Sequence, residues 1–492
     1  MSDYDVLICG LGPVGQLLAL LLGDHGVRTL AFDREHEPYG LPRAAVVDDE
    51  VLRIFQAVGL DAAVRADAQV MPSASILTSD GRAVEFIRLD VGRLGHPPLV
   101  SINQPAMERT MLAALAQRPT VEVRRGLTLQ ALDRRATGVD AYVRPTDGGR
   151  TERISGRFLV GCDGASSAVR TQLQVPFEGR TAPQRWVVVD ALVDRPLRRV
   201  PYPYLVGRAA RPMVTSPMSP GRHRWEWMLH PGEDAAPHLE PAAIRRAVEE
   251  WHDGERAEVE RAVANTFHTR VASPWRRGRV LHAGDAAHLM PPFAGQGFSS
   301  GARDAANLAW KLTAVLGGAH ERLLDTYEQE RRPHVAGMQR LAGLIGGFVQ
   351  STTPRRVAAR DGFLKAIDGT PVQRMLADNV KPLPAYGAGA FAERPERLPW
   401  RRTVGSLFPQ TRRLDDRLGS GWAAVAVDGA AAETLREHGL RVVDPGPDEA
   451  WLRRHGLTWA VLRPDRFVFA CGNGGNAAAG SARLTMVTGA ER

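Results

Sequence analysis

An apolar run from Asp5 to Cys9 is broken by Gly10-Leu11-Gly12-Pro13-Val14-Gly15 and followed by a second apolar run from Val14 to Leu22. A short run ending at glycines reads as a buried strand, and the longer run behind it as a buried helix. Val27 to Phe32 repeats the strand pattern. Helical spacing follows from about Asp48 to Val58 and again from Gln104 to Leu115. Val121 to Val123, the region near Leu127 and Thr151 to Val160 read as further strands, so this stretch predicts an α/β unit. From Arg185 to about Arg270 the texture changes. Short apolar or alternating runs (Trp186 to Asp190, Met213 to Ser216, Arg224 to Leu229) lie between Pro and Gly, as in an antiparallel sheet. The α/β pattern returns at Arg279 to Ala283. Phe298 to Leu316 is a strong helix, with helical spacing continuing through Arg340 to Leu376.

Pro382, Pro384, Gly387, Gly389, Pro395 and Pro399 mark a linker. Beyond it, strands at Trp422–Val427, Leu440–Val443, Trp459–Leu462 and Phe467–Ala470 alternate with helices at Ala430–His438 and Asp448–His455, a βαβαββ tail. The expected division is 1–184 and 279–380 as two parts of one α/β domain, 185–278 as an inserted sheet domain, 381–399 as linker and 400–492 as a small α/β domain.

At 492 residues the chain is long enough for two or three domains. Its 44% hydrophobic and 24% charged residues are those of a globular protein rather than a disordered one. No basic region precedes the first apolar run, and Asp24 and His25 stop the next one short of a membrane span, so neither a secretory signal nor a membrane partner is expected. Cys9, Cys162 and Cys471 offer no paired spacing, which argues against a disulfide scaffold or a zinc site and favours a reducing, cytoplasmic setting. The net charge of +8 comes almost entirely from scattered arginine, without a basic stripe or a nucleic-acid module.

Three separated motifs carry the chemistry. Glycines at the end of the first strand let a pyrophosphate approach a helix N-terminus, and Asp33, eighteen residues after Gly15, stands near the spacing of a ribose-binding acid. Gly161-Cys162-Asp163-Gly164 sets a carboxylate and flexible backbone at another strand end, with Ser166 or Ser167 able to cap the next helix; an ordinary capped turn has the same form. Gly284-Asp285-Ala286-Ala287-His288, followed by Pro291 to Gly297 and the long helix, supplies a carboxylate for polyol hydroxyls and bare N–H groups for a ring.

Together these motifs resemble the FAD-dependent aromatic hydroxylases, the single-component flavoprotein monooxygenases. The stretch Gly284 to Lys311 is most similar to the 3-(3-hydroxyphenyl)propionate hydroxylase branch and its polyketide-hydroxylase relatives, the latter suggesting antibiotic biosynthesis. Leu41 to Ala44, Gln104, Arg185-Trp186 and Tyr327 to Pro333 also fit, so the likeness spans residues 1 to about 340. The resemblance implies an α/β fold with a Rossmann-like FAD-binding domain of the glutathione-reductase type, interrupted by an antiparallel-sheet substrate domain. The tail resembles a thioredoxin-like appendage, but without Cys-x-x-Cys, leaving packing or homodimerisation as its expected role.

By the same resemblance Gly10, Gly12, Pro13, Val14 and Gly15 lie against the FAD pyrophosphate, and Asp33 and Arg34 meet the adenosine end, with Leu127 also on the cofactor. Arg43 and Gln104 reach the phosphate and ribityl region, Gly284 and Asp285 its other side, and Pro291, Gly295, Gln296 and Gly297 border the flavin ring. Asp163 belongs to a motif linked to both FAD and NAD(P)H. The implied reaction reduces FAD with NAD(P)H, forms a C4a-hydroperoxyflavin with O₂ and hydroxylates a small phenolic or polyketide aromatic. Baeyer–Villiger oxidation or epoxidation by the same chemistry, and a flavin protein that binds an aromatic ligand without turnover, are the alternatives.

A base near the ring is expected. Tyr202, Tyr204, His223 and Glu226 are the candidates, each with an ordinary packing role as the competing explanation; for His288, structural hydrogen bonding competes equally. Trp186, Met213, Met218, Trp227, Met228, Pro292 and Phe293 are candidates for the substrate pocket. Trp225-Glu226-Trp227 invites comparison with flavin halogenases, but the only lysines are Lys311, Lys365 and Lys381, none in the first half, so the triplet is read as a strand with both faces aromatic.

Overall fold

The apolar run ending at Cys9 becomes the Tyr4–Cys9 strand, buried between parallel neighbours Glu152–Gly161 and Thr29–Asp33. The structure is a computed structural model describing residues 3–88, 94–195, 197–198, 200, 203–249, 251, 257–378, 384–396, 402–474 and 477–478. The parallel set continues through Val280–His282 on one side and Val121–Arg125 on the other, within a sheet of eight strands. Residues on both faces of its central strands are apolar because helices cover both. Pro13 stands at the first turn of the Pro13–Asp24 helix, where its missing N–H costs nothing. That helix packs against Gly297–Leu316.

A second eight-stranded sheet runs in the order His288–Leu289, Ala257–Ala272, Phe177–Val193, Arg222–Met228, Met213–Pro217, Tyr204–Val206, Ser73–Leu77, Ala83–Arg88. The seventeen-residue Phe177–Val193 strand crosses the expected boundary at 184/185, pairing with both Ala257–Ala272 and Arg222–Met228. The Ser73–Leu77 and Ala83–Arg88 strands join this sheet from the first stretch of chain, through a parallel pairing with Tyr204–Val206. The architecture is therefore a mixed α/β fold built on several sheets.

In the tail, strands Arg441–Val443, Ala423–Ala426, Trp459–Leu462 and Val468–Gly472 form one sheet in that order, with helices Gly429–Glu437 and Glu449–Arg454 between them in sequence. Of the expected linker, the described residues 384–396 are packed rather than free: Tyr386 is buried and stacks on Phe467 with ring centroids 4.1 Å apart. Buried ion pairs join the tail to the body. Arg53 meets Asp415 at 2.6 Å, and Arg463 meets Glu330 at 2.9 Å.

The Gly297–Leu316 helix is buried on its polar side as well, and its charged residues are paired there. Arg303 binds Asp48 and Glu50, Asp304 binds Arg331, and Lys311 binds Glu330 at 2.9 Å. Desolvation brings the Lys311 amine down to about 8, while Arg463 and Lys311 hold the Glu330 carboxyl at about 2.

Candidate active site

The three glycine turns meet at the C-terminal ends of the parallel strands. Gly10, at φ +104°, lies so close to the second turn that a Cβ there would stand 2.5 Å from the Cys162 carbonyl oxygen. A Cβ on Gly15 would stand 2.0 Å from the Gly10 oxygen, and one on Gly284 3.0 Å from Val14 Cγ2. These glycines are required by protein against protein. Gly12 and Gly297 differ: a Cβ on either would meet nothing within 4 Å. Both sit at the start of a helix whose N-cap makes no side-chain hydrogen bond, so the first N–H groups of each helix are left without a side-chain partner. That is the cradle an anionic dinucleotide requires.

Asp33 accepts from the Leu11 N–H at 2.6 Å and the Glu35 N–H at 2.9 Å, which leaves lone pairs for a hydroxyl. Asp163 takes the Val169 N–H on one oxygen, while its other oxygen is buried with no partner. Asp285 is accessible yet walled by protein, and that enclosure raises its carboxyl above the ordinary range. Arg43 lies over the Tyr39 ring at 3.9 Å, and Arg34 pairs with Glu35. Leu127 opens the Leu127–Arg134 strand, half-buried.

Two side chains face away from the role expected of them. Gln104 Oε1 accepts from the N–H groups of Arg43 (3.1 Å) and Ala44 (2.5 Å), so it fixes the Arg43 loop. Gln296 donates to Asp48 and accepts from Arg303, an inward role that leaves only its backbone for a ligand.

Strand parity sorts the other candidates, because successive side chains alternate between sheet faces. Trp227, Trp225 and Met213 share a core with Val187, Val189, Ile244 and Trp251, and Tyr204 packs against it. Trp225 and Trp227 are two apart, so both lie on this outer face, which corrects the reading of a strand aromatic on both sides. His223 stands on the same face against Trp225, bonded to Thr215 Oγ1 at 2.8 Å, and burial lowers its imidazole to about 3. The opposite, inner face carries Trp186, Glu226, Met228 and Arg224, aligned as Trp186↔Met228, Val188↔Glu226 and Asp190↔Arg224. Trp186 meets Phe293 edge-on at 5.4 Å, and Phe267 completes the cluster at 5.7 Å from Phe293. Pro291, Phe293 and Phe267 also line a cleft of about 780 Å³, opposite Gly343 and Phe348. Pro292 is exposed, and Gly295 holds a left-handed turn with φ +61°. Met218 is buried in the hairpin after Met213–Pro217, its carbonyl accepting from Ser101. Tyr202 lies outside the described residues.

Several side chains of this region are not singled out by the sequence motifs. Asp304 accepts from the Gly284 N–H (3.0 Å), His288 Nε2 (2.7 Å) and Arg331 Nε (2.8 Å), so it holds the third turn in place. His288 is thus structural on that side; its Nδ1 is buried without a partner. Arg224 binds Asp190 at 2.6 Å and donates to the carbonyls of Arg43 and Pro42, while Arg261 donates to Pro42 at 2.8 Å. The loop carrying Arg43 is thereby clamped to the inner face of the second sheet. Period-two spacing alone would have placed Arg224 beside Glu226.

A family described as FAD binding domain matches residues 3–342. A 3-(3-hydroxyphenyl)propionate/3-hydroxycinnamic acid hydroxylase of Mycobacterium sp. (strain JLS) is 36% identical over 95% of this chain and 89% of its own. The chain belongs to the FAD-dependent aromatic hydroxylases. The enzyme of the same name from Escherichia coli O8 (strain IAI1) is 33% identical over 95% of this chain and 92% of its own. Among solved structures, OxyS anhydrotetracycline hydroxylase from Streptomyces rimosus is 27% identical with a TM-score of 0.78, covering 99% of this chain and all of that one. Aklavinone-11 hydroxylase in complex with FAD and aklavinone shares the fold over the whole of both chains, with a TM-score of 0.79 at 21% identity.

This family member is an FAD-dependent monooxygenase, and use of NAD(P)H and O₂ is typical of the family. The cradle at Gly12 and Gly297 and the unpartnered oxygen of Asp163 are consistent with that cofactor. No helix among the described residues is long and apolar enough to cross a membrane.

Proposed function

We propose that the chain takes NAD(P)H and O₂ and hydroxylates a small phenolic or polyketide aromatic between the third glycine turn and the inner face of the second sheet. The observation that carries this reading is the adjacency of the cradle to the Trp186, Phe267 and Phe293 cluster, which offers aromatic edges and faces to a flat ring. When bound, FAD supplies the redox chemistry, passing two electrons from NAD(P)H to activate O₂. Gly10, Gly12, Pro13, Val14 and Gly15 shape the pyrophosphate seat; Asp33 takes the ribose. Arg43, Gly284 and Asp285 surround the middle of the cofactor, and Pro291 to Gly297 border its ring. Trp186, Met228 and Phe293 orient the substrate and keep water out.

In the same reading the first sheet is a Rossmann-like domain of the glutathione-reductase type, the second sheet the substrate domain, and the tail a thioredoxin-like module that acts by packing. The relatives act on 3-(3-hydroxyphenyl)propionate and anhydrotetracycline by their names, so both phenol classes belong in the test. The purified yellow protein is expected to oxidise NAD(P)H faster with one of these phenols and to place one atom of labelled O₂ on the ring as hydroxyl. Only hydrogen peroxide across the panel would overturn the hydroxylase reading, and label in a ring ester or epoxide would replace it with the corresponding oxidation.

A further inference from the structure

Glu226 is the buried carboxylate of the inner face that receives no hydrogen bond from the described protein. Its neighbour Asp190 is satisfied by Arg224 at 2.6 and 3.0 Å and by Arg261 at 3.3 Å. Arg224 spends its other contacts on the carbonyls of Pro42 and Arg43, so its Nη1 stays 3.8 Å from Glu226 Oε1, beyond hydrogen-bond reach. Across the sheet Glu226 is flanked by Val188 and Val214, neither of which offers a side-chain donor. The side chain nevertheless keeps 12% of its surface accessible. A carboxylate buried this far without a donor is costly unless a ligand brings one.

We propose that Glu226 accepts the proton of a phenolic hydroxyl on the substrate. The inference rests on the hydroxylase reading above. In the step, the phenol O–H bond breaks, its electron pair stays on the phenolic oxygen, and a new O–H bond forms on the carboxylate, which becomes a neutral acid. The phenolate oxygen then feeds electron density to the ring carbon that receives oxygen.

The surroundings suit this. Burial raises the Glu226 carboxyl above its ordinary range, opposed by Arg224 on its own strand and Arg261 on the Ala257–Ala272 strand, and reinforced by Asp190 on the Phe177–Val193 strand. A stronger carboxylate base narrows the gap to a phenol near pKa 10. The two guanidiniums remain to offset the phenolate. His223 and Tyr204, the other described candidates, stand on the far face of the sheet.

The test compares wild type, Glu226→Gln and Glu226→Asp, each checked for bound FAD, on whichever phenol of the panel most stimulates the wild type. A nitro-substituted analogue of that phenol, already ionised at assay pH, runs beside it. Glu226→Gln is expected to slow hydroxylation of the un-ionised phenol by about 100-fold at pH 7, with the deficit shrinking as pH approaches the phenol's own pKa. Its loss on the nitro analogue should be much smaller, and Glu226→Asp should recover much of the rate. The phenolate absorbance band of the bound phenol should appear in wild type and be absent in Glu226→Gln. If Glu226→Gln fails to bind FAD, Glu226→Asp carries the test, with the band weakened and the pH profile moved up. A wild-type band and pH profile in the variant, or an equal loss on both phenols at every pH, would overturn the proposal alone. A wild type that no phenol stimulates would overturn the hydroxylase reading and this inference with it.

Discussion

Gly12 and Gly15 stand three residues apart in one motif, yet they answer to different demands. Gly15 has no room for a Cβ because the Gly10 oxygen is in the way, whereas Gly12 has open space on that side. Gly15→Ala should therefore destabilise even the cofactor-free protein, lowering its thermal midpoint. Gly12→Ala should leave that midpoint unchanged and weaken FAD binding by about tenfold or more, roughly 1.4 kcal/mol, read by fluorescence titration. Equal effects in both assays would refute the distinction. The glycines and Asp33 were legible in the sequence because their roles depend on local spacing. Asp304 was not: a charged residue in a helix reads as solvated surface until Arg331, His288 and the Gly284 N–H are brought to it by distant chain. Asp304→Asn keeps the shape but leaves the buried Arg331 without its counter-charge. A loss of about 3 to 5 kcal/mol in chemical denaturation is expected, with FAD released more readily; a stability within error of wild type would deny Asp304 that role.

At the level of elements, hydrophobic period and glycine punctuation located most strands and helices, including Gln104–Leu115 to the residue. What they could not give was sheet membership. Ser73–Leu77 finds its partner at Tyr204–Val206, far along the chain, and no local pattern specifies that pairing. Trp186, Met213, Trp227 and Met228, candidates for one pocket by residue type, divide by strand parity between two faces. The division predicts separable phenotypes. Trp227→Phe, on the outer core, should lower the thermal midpoint with substrate KM unchanged. Trp186→Phe, against Phe293, should change KM or the preference among phenols. If both variants shift the midpoint alone, the inner face is not the substrate wall.

Across the whole molecule, buried charge does work that the apolar cores do not, tying the tail to the body through Arg53–Asp415 and Arg463–Glu330. Buried neutral histidines carry the matching liability. Burial holds His96 at about 4, His223 at about 3 and His282 at about 4, against an ordinary 6.5. In the unfolded chain each takes up a proton near pH 6.5; in the folded protein each stays neutral until the pH is far lower. Between those limits the unfolded state binds more protons, so stability falls as pH falls, and above 6.5 these groups contribute no slope. At pH 5 each histidine accounts for about 2 kcal/mol. Glu330, held at about 2, loses its contribution only below its unfolded value of 4.5, so it cannot explain a decline that starts near pH 6. Urea denaturation at pH 7.5, 6 and 5 should show stability dropping across that range, and His223→Gln, which can still bond Thr215, should reduce the drop. A flat profile from pH 7.5 to 5 would mean that these imidazoles are not held neutral in the folded protein.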